Sequence, residues 1–345
     1  MQGHDIIVLG ASAGGLKALS VIFGRLPADL QASLFVVQHL SADHVSLLPA
    51  ILSDVSALPA VHGVDGEDIR RGVIYVAPPD YHLLVNREHV RVVRGPRENR
   101  FRPAIDSLFR SAARSYGPRV VGVVLTGLLD DGTVGLQAIK RRGGVAVVQD
   151  PLDAEYPSMP SNALSFVNID YTLPLAEIAS VLIRLVEEPA AEEDTFAIPW
   201  DMEIEANVAE QQMNTEQLLK GVEEIGSRTT FTCPACNGSL WQVGEDEPLR
   251  FRCHIGHAFT AKALLAEQTQ SLENALWSAI RLMEEKVAFA RRMAERRIRL
   301  NLPEAAEPYL QYADRLDQEV GALRRMTVEG FATRHVQSAS GEQAE

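Results

Sequence analysis

In the first half of the chain, short β-rich runs that are apolar almost throughout alternate with helix-length amphipathic stretches. The runs are 5–9 (DIIVL), 33–38 (SLFVVQ), 73–77 (VIYVA), 119–126 (RVVGVVLT) and 144–149 (GVAVVQ). Helical patterns follow them at 14–24, 44–54, 103–116, 133–142 and 175–187. A strand with one wet face alternates apolar and polar residues. These runs do not, so both faces of their sheet must be covered, as they are when crossover helices join parallel strands. YHLLV (81–85) and HVRVV (89–93) flank the turn NRE and predict an antiparallel hairpin. The fold class that follows for residues 1–186 is α/β, a doubly wound and mostly parallel sheet with a β-hairpin insertion.

The second half reads differently. From Glu187 to Glu210 there are nine acidic residues, two prolines and no Lys or Arg, so 187–228 is expected to be a solvated acidic linker. A small module bearing all three cysteines occupies 229–260. Beyond it, Leu265, Leu272, Leu276, Ile280, Met283, Val287, Ala290, Ala294 and Ile298 recur at helical spacing. NLPEAAEP interrupts that helix, and a second follows through Leu310, Leu316, Val320 and Leu323, giving an antiparallel helical pair over 261–330. Its apolar face is a candidate homodimer contact or a dock for a signalling partner. The tail 331–345 is expected to be disordered.

A net charge of −13 argues against nucleic-acid binding, which needs clustered Lys and Arg to neutralise phosphates. No apolar run approaches the roughly 20 residues of a membrane span, and MQGHDIIVLG lacks the pattern of a signal peptide. A cytoplasmic protein with no membrane insertion is the expectation.

The first run ends in VLGASAGG. A dinucleotide fingerprint needs glycine where Ser12 stands, and an acidic residue after the second strand, where the chain has Gln38 and His39. Gly10-Ala11-Ser12-Ala13-Gly14 fits G-x-S-x-G between strand and helix, a turn that exposes a serine hydroxyl near a helix N-terminus. A plain tight turn would read the same way. A serine nucleophile needs a base, and the base needs a carboxylate to orient it. His39 closes the second run, and Asp130 and Asp131 follow the fourth, all at strand carboxyl ends where parallel sheets bind ligands. Spacing alone does not choose between Asp130 and Asp131.

GASAGG, VVQHL, VAPPDYHLLV, FRPAIDSLFRSAA, LTGLLDDGTVGLQAIKRRGG, VVQDP and YPSMPSNAL together resemble the catalytic domain of the chemotaxis protein-glutamate methylesterases, the CheB family, in the family's order over residues 5–180. The resemblance implies Ser12 as nucleophile, His39 as base and Asp131 as third member of a triad. It implies hydrolysis of glutamyl methyl esters on a methylated chemoreceptor or receptor-like protein, glutamine deamidation through the same acyl intermediate, and no catalytic cofactor. It offers the backbone N–H groups of Leu128 and Ala13 as oxyanion donors and Met159, with Pro160, as site-lining or packing residues. Ala13 departs from the hydroxyl residue often found there. Met1 stands close before the first strand, leaving no room for the family's usual receiver domain, so a receiver protein in trans is a candidate partner. Arg94, Arg97, Arg100 and Arg102 read as a cationic rim for an acidic receptor or as a solvated loop, and His82 as structural.

Cys233 and Cys236 form a C-P-x-C knuckle, and after sixteen intervening residues come Cys253 and then His257. Three thiolates and an imidazole make a closed tetrahedral set, which argues for structural Zn2+, with His254 the alternative fourth ligand. So small a unit has too few apolar residues to fold unaided. The segment resembles a zinc-ribbon tail carried by some methylesterase-like proteins. Two other functions fit the residues less directly: an adaptor working through the C-terminal half, and a hydrolase of a non-receptor ester.

Overall fold

The computed structural model of the protein describes residues 3–39, 45–192, 195–245 and 247–340. The first part of the chain runs β1 (Ile6–Ala11), α1 (Gly15–Phe23), β2 (Ser33–Gln38), α2 (Leu48–Val55), β3 (Ala60–His62), β4 (Ile74–Val76), β5 (His82–Val85), β6 (Val90–Val93), α3 (Ile105–Tyr116), β7 (Val120–Val124), α4 (Thr133–Arg141), β8 (Val145–Gln149), α5 (Ser158–Phe166), β9 (Tyr171–Leu173) and α6 (Leu175–Glu187). Seven strands form one sheet in the order β3-β4-β2-β1-β7-β8-β9, and every pairing in it is parallel. Ile6 and Val8 bury into the core on the face covered by α3 and α4. Ile7 and Leu9 bury into the other core, with α1 and α6. Successive side chains of one strand thus enter different cores, which is why the run carries no polar alternation. The predicted hairpin is β5 paired with β6, separate from the main sheet. The short strands β3 and β9 and helix α5 carry too little pattern to stand out in the sequence. Residues 40–44, where the helix expected over 44–54 begins, lie outside the described residues, and α2 starts at Leu48.

The chain leaves β1 toward β2 on one side of the sheet, while β7 flanks β1 on the other. That reversal opens a crevice at the strand carboxyl ends.

The expected linker 187–228 holds two helices, α7 (Trp200–Ala209) and α8 (Thr215–Ile225). Met202, Ile204, Ala206 and Val208 of α7 are buried. The carboxylates that suggested solvation are paired with arginines from distant segments: Asp201 with Arg141 at 2.8 Å, Glu205 with Arg250 at 2.9 Å and Glu210 with Arg114 at 2.9 Å. The cysteine module is a four-stranded antiparallel sheet, β10 (Gly226–Thr232), β11 (Ser239–Val243), β12 (Arg250–Cys253) and β13 (Ala258–Thr260). It belongs with the α/β fold to one compact unit, Met1–Leu264, and does not form a body of its own.

The second unit, Leu265–Glu345, consists of most of α9 (Ala261–Arg299) and of α10 (Glu307–Ser340). Val287 and Ala290 pack on Ala313, and Arg291 meets Asp317 at 2.8 Å while Arg324 pairs with Glu284, so the helices run antiparallel. Leu265, Leu272 and Ile298 remain exposed, so the apolar stripe is buried only in part. α10 extends through Gly321 and Gly330 to Ser340, into the segment 331–345 read from sequence as a tail. Among the described residues no helix is long and apolar enough to cross a membrane.

Candidate active site

The turn after β1 is held by glycines at positions no other residue fits. A Cβ on Gly10 would lie 2.3 Å from Ile105 Cγ2, and Gly14 adopts a left-handed φ of 75°. Between them the Ser12 backbone is fixed at both ends. Its N–H donates to Thr126 O at 3.0 Å, beyond the end of β7, and its carbonyl accepts Gln38 Nε2 at 2.7 Å. His39 follows β2, its N–H donating to Ala11 O at 3.1 Å. Ser12 and His39 thereby sit on adjacent loops of the crevice.

His39 Nε2 lies 2.8 Å from Asp131 Oδ2, with side-chain exposures of 4% and 0%. Asp131 follows β7 and receives three further hydrogen bonds. Ile105 N donates to Oδ2 at 2.7 Å, and Asn99 Nδ2 and Asp106 N donate to Oδ1 at 2.9 and 3.2 Å. The first two N–H groups of α3 thus point at this carboxylate, where a helix N-terminus favours negative charge. Burial works to raise the pKa of Asp131, but the hydrogen bond and charge of His39, with the Asn99 and Ile105 donors, hold it below the ordinary carboxylate value. An ionised carboxylate only accepts, so Nε2 carries a proton directed at Asp131. His39 Nδ1 is buried and has no hydrogen-bond partner among the described residues. The ring is fixed on its face by Phe101, stacked at 3.6 Å and 7°.

Asp106 completes a reciprocal arrangement. Lying in the first turn of α3, it accepts Gly132 N at 3.0 Å and Gly135 N at 2.6 Å at the start of α4, while Asp131 beside α4 caps α3. Burial, with the Asp131 charge adding to it, pushes the Asp106 carboxyl well up. Asp130 faces elsewhere, accepting Thr260 Oγ1 at 2.9 Å.

Of the other expected residues, Leu128 is exposed at the crevice, next to Gly127, where a Cβ would lie 2.8 Å from Ser12 Cβ and 2.2 Å from Met159 Sδ. Met159 is wholly buried and backs the Gly127–Ser12 contact, in keeping with the packing reading. The Ala13 carbonyl accepts Thr126 Oγ1 at 3.0 Å. The expected arginine rim is partly neutralised, because Arg94 and Arg102 both pair with Asp80, at 2.7 and 2.6 Å. His82 is buried, its Nδ1 accepting Ala104 N at 3.3 Å and its Nε2 donating to Pro96 O at 2.8 Å, and burial lowers its pKa, in keeping with a structural role. Asn99, Phe101 and Asp106 escaped the sequence reading. Their signal, ENR before FRPAID, was hidden among arginines.

The CheB methylesterase profile matches residues 7–182, half of the chain. The chain belongs to the CheB methylesterase family. A Leptospira interrogans relative, provisionally named protein-glutamate methylesterase/protein-glutamine glutaminase, is 40% identical over 185 residues, 53% of this chain and 96% of the relative. A Methanosarcina mazei protein-glutamate methylesterase/protein-glutamine glutaminase 2 is 34% identical over 191 residues, which is 53% of this chain and 52% of that protein. The crystal structure of the Thermotoga maritima CheB methylesterase catalytic domain superposes with a TM-score of 0.52 at 32% identity, covering 54% of this chain and 100% of that one. Ser12, His39 and Asp131 all fall within the CheB match, and the cysteine module lies beyond it.

In that module Cys233, Cys236, Cys253 and His257 bring their ligand atoms within 4.8 Å of one another. Cys236 Sγ is 3.7 Å from Cys253 Sγ, and His257 Nδ1 is 3.6 Å from Cys253 Sγ and 3.9 Å from Cys233 Sγ. A tetrahedral zinc with Zn–S of about 2.3 Å and Zn–N of about 2.0 Å sets two sulfurs about 3.8 Å apart and sulfur and nitrogen about 3.5 Å apart. The donor set therefore fits that ion. His254 packs on Gly238 outside this group.

Proposed function

We propose that this chain is a serine-dependent protein-glutamate methylesterase with Ser12, His39 and Asp131 as its triad. The observation that carries the reading is the buried His39–Asp131 pair, whose remaining imidazole nitrogen has no partner among the described residues in the crevice that holds Ser12. Ser12 Oγ attacks the carbonyl carbon of a γ-glutamyl methyl ester as its proton passes to His39 Nδ1. The tetrahedral intermediate collapses, the C–O bond to methoxide breaks, and His39 returns the proton so that methanol leaves. Water then attacks the acyl-enzyme with His39 again as base, releasing glutamate and restoring the Ser12 hydroxyl. Asp131 keeps Nε2 protonated and stabilises the imidazolium. The Leu128 and Ala13 N–H groups are the proposed oxyanion donors, and loss of one such donor typically costs about 10²–10³ in rate. A side-chain amide entering the same acyl intermediate would lose ammonia, which makes glutamine deamidation the accompanying activity. The proposed substrate is a methylated chemoreceptor or receptor-like protein.

The cysteine set is proposed to hold structural Zn2+, whose four protein ligands leave no position for substrate. A cluster of reduced thiolates agrees with a cytoplasmic setting. Methanol release from methylated receptor fragments tests the esterase. Release by the intact protein that Ser12→Ala abolishes is the expected result, and release unaffected by that substitution overturns the triad.

A further inference from the structure

The turn that grips the His39–Asp131 pair is itself gripped by the cysteine module. Residues Glu98 to Phe101 close a tight turn through paired backbone hydrogen bonds, Glu98 N to Phe101 O at 3.2 Å and Phe101 N to Glu98 O at 2.9 Å. Its two central residues are non-glycine and left-handed, Asn99 at φ 49° and Arg100 at φ 77°. Such backbone persists only where its surroundings hold it. The turn points one side chain at each half of the pair. Phe101 stacks on His39, and Asn99 Nδ2 donates to Asp131 Oδ1 at 2.9 Å and to Asp106 Oδ2 at 2.7 Å.

What holds the turn from behind is β13. Glu98 forms a parallel bridge with Ala258. Asn99 N donates to Ala258 O at 2.8 Å, Ala258 N to Arg97 O at 3.3 Å, and Thr260 N to Asn99 Oδ1 at 3.0 Å. Glu98 is clamped from both sides, by Arg110 of α3 at 2.7 Å and by Arg252 of β12 at 3.2 Å. Arg252 precedes Cys253, and Ala258 follows His257. The two contact strands are therefore joined by the turn that supplies two of the four metal ligands. The Asn99 amide carries the connection. Its oxygen takes the module's N–H, which orients its nitrogen on Asp131.

We infer that the metal-bound module is a positioning element of the hydrolytic site, acting through Asn99 and Phe101 as positioning residues, so that metal at Cys233, Cys236, Cys253 and His257 keeps the His39–Asp131 pair aligned. This rests on the esterase reading and deepens it. Loss of the metal frees β12 and β13 to move, releases the strained turn and loosens the imidazole.

The test uses the full chain, zinc-loaded and zinc-stripped, with two readouts: kcat and KM for methanol release, and the 15N resonances of His39. Asn99→Ala at full zinc occupancy is expected to lower kcat roughly 10- to 100-fold, the range typical of supporting-residue loss, with KM within about twofold and the His39 resonances shifted. Stripping zinc from the unsubstituted chain is expected to do the same. Stripping it from Asn99→Ala is expected to add little, because the two changes act on one connection. Unchanged kcat and resonances on zinc loss, or full additivity, overturn the inference. If stripping melts the sheet unit, Arg252→Lys with zinc in place decides: a fall in kcat and a His39 shift support it, and unchanged values overturn it. A zinc-loaded chain that releases no methanol sinks the esterase reading alone, and the His39 resonances still decide whether the module positions the pair.

Discussion

At the scale of single residues, Asp131 collects donors from His39, Asn99 and the start of α3, whereas Asp130 receives its side-chain hydrogen bond from Thr260. Burial pushes the Asp130 carboxyl up to about 6. An unfolded aspartate titrates near 3.9. Above pH 6 the group is charged in both states, and the folded state carries the burial penalty. Below about pH 4 it is neutral in both and the penalty is gone. Asp130→Asn, which keeps an oxygen for Thr260, is therefore expected to stabilise the protein at pH 7.5 by at most about 3 kcal/mol, fading as pH falls from 6 to 4. Thermal melts across that range check it, and an equal gain at pH 4 contradicts it. Both aspartates were legible in the sequence, as were Ser12 and His39. Which aspartate meets His39 depends on how one loop turns, and no spacing rule states that.

Among the elements, the acidic stretch after Glu187 shows how composition misleads. Read along the chain, its carboxylates have no cation nearby. In the fold, α7 brings Glu205 between Arg250 and Arg252, and those neighbours hold its carboxyl far below the ordinary value despite full burial. Removing one partner of a buried pair strands the other's charge, so Glu205→Gln is expected to cost roughly 3–5 kcal/mol in urea unfolding at pH 7. A loss below about 1 kcal/mol would mean that these arginines are adequately served by Glu98 and Asp201. The approach of α3 to β1 is equally specific. A methyl group on Gly10 would overlap Ile105, the residue whose N–H holds Asp131. Gly10→Ala is expected to lower both stability, by about 1–3 kcal/mol, and methanol release. Calorimetry and activity measured together check it, and loss of stability with full activity would show that α3 shifts without disturbing Asp131.

For the whole molecule, division into Met1–Leu264 and Leu265–Glu345 predicts two melting transitions. Ala313→Asp places a charge where Ala313 is fully buried against Val287 and Ala290. It is expected to lower the helical transition and leave that of the sheet unit in place, as read by calorimetry. A single transition that moves as one would show that the two units unfold together. By itself the sequence determined the parallel α/β class, the loops carrying Ser12, His39 and Asp131, the knuckle spacing of the cysteines and the paired C-terminal helices. Each of these is written in local periodicity or spacing, because burial repeats along a single element. The tertiary structure alone decided how the Asp131 carboxylate is held, that the acidic stretch folds, and that β13 holds the turn bearing Asn99 and Phe101. Those outcomes join residues up to 161 positions apart, Asn99 to Thr260 among them. They depend on how packed elements orient their loops, which no local pattern encodes.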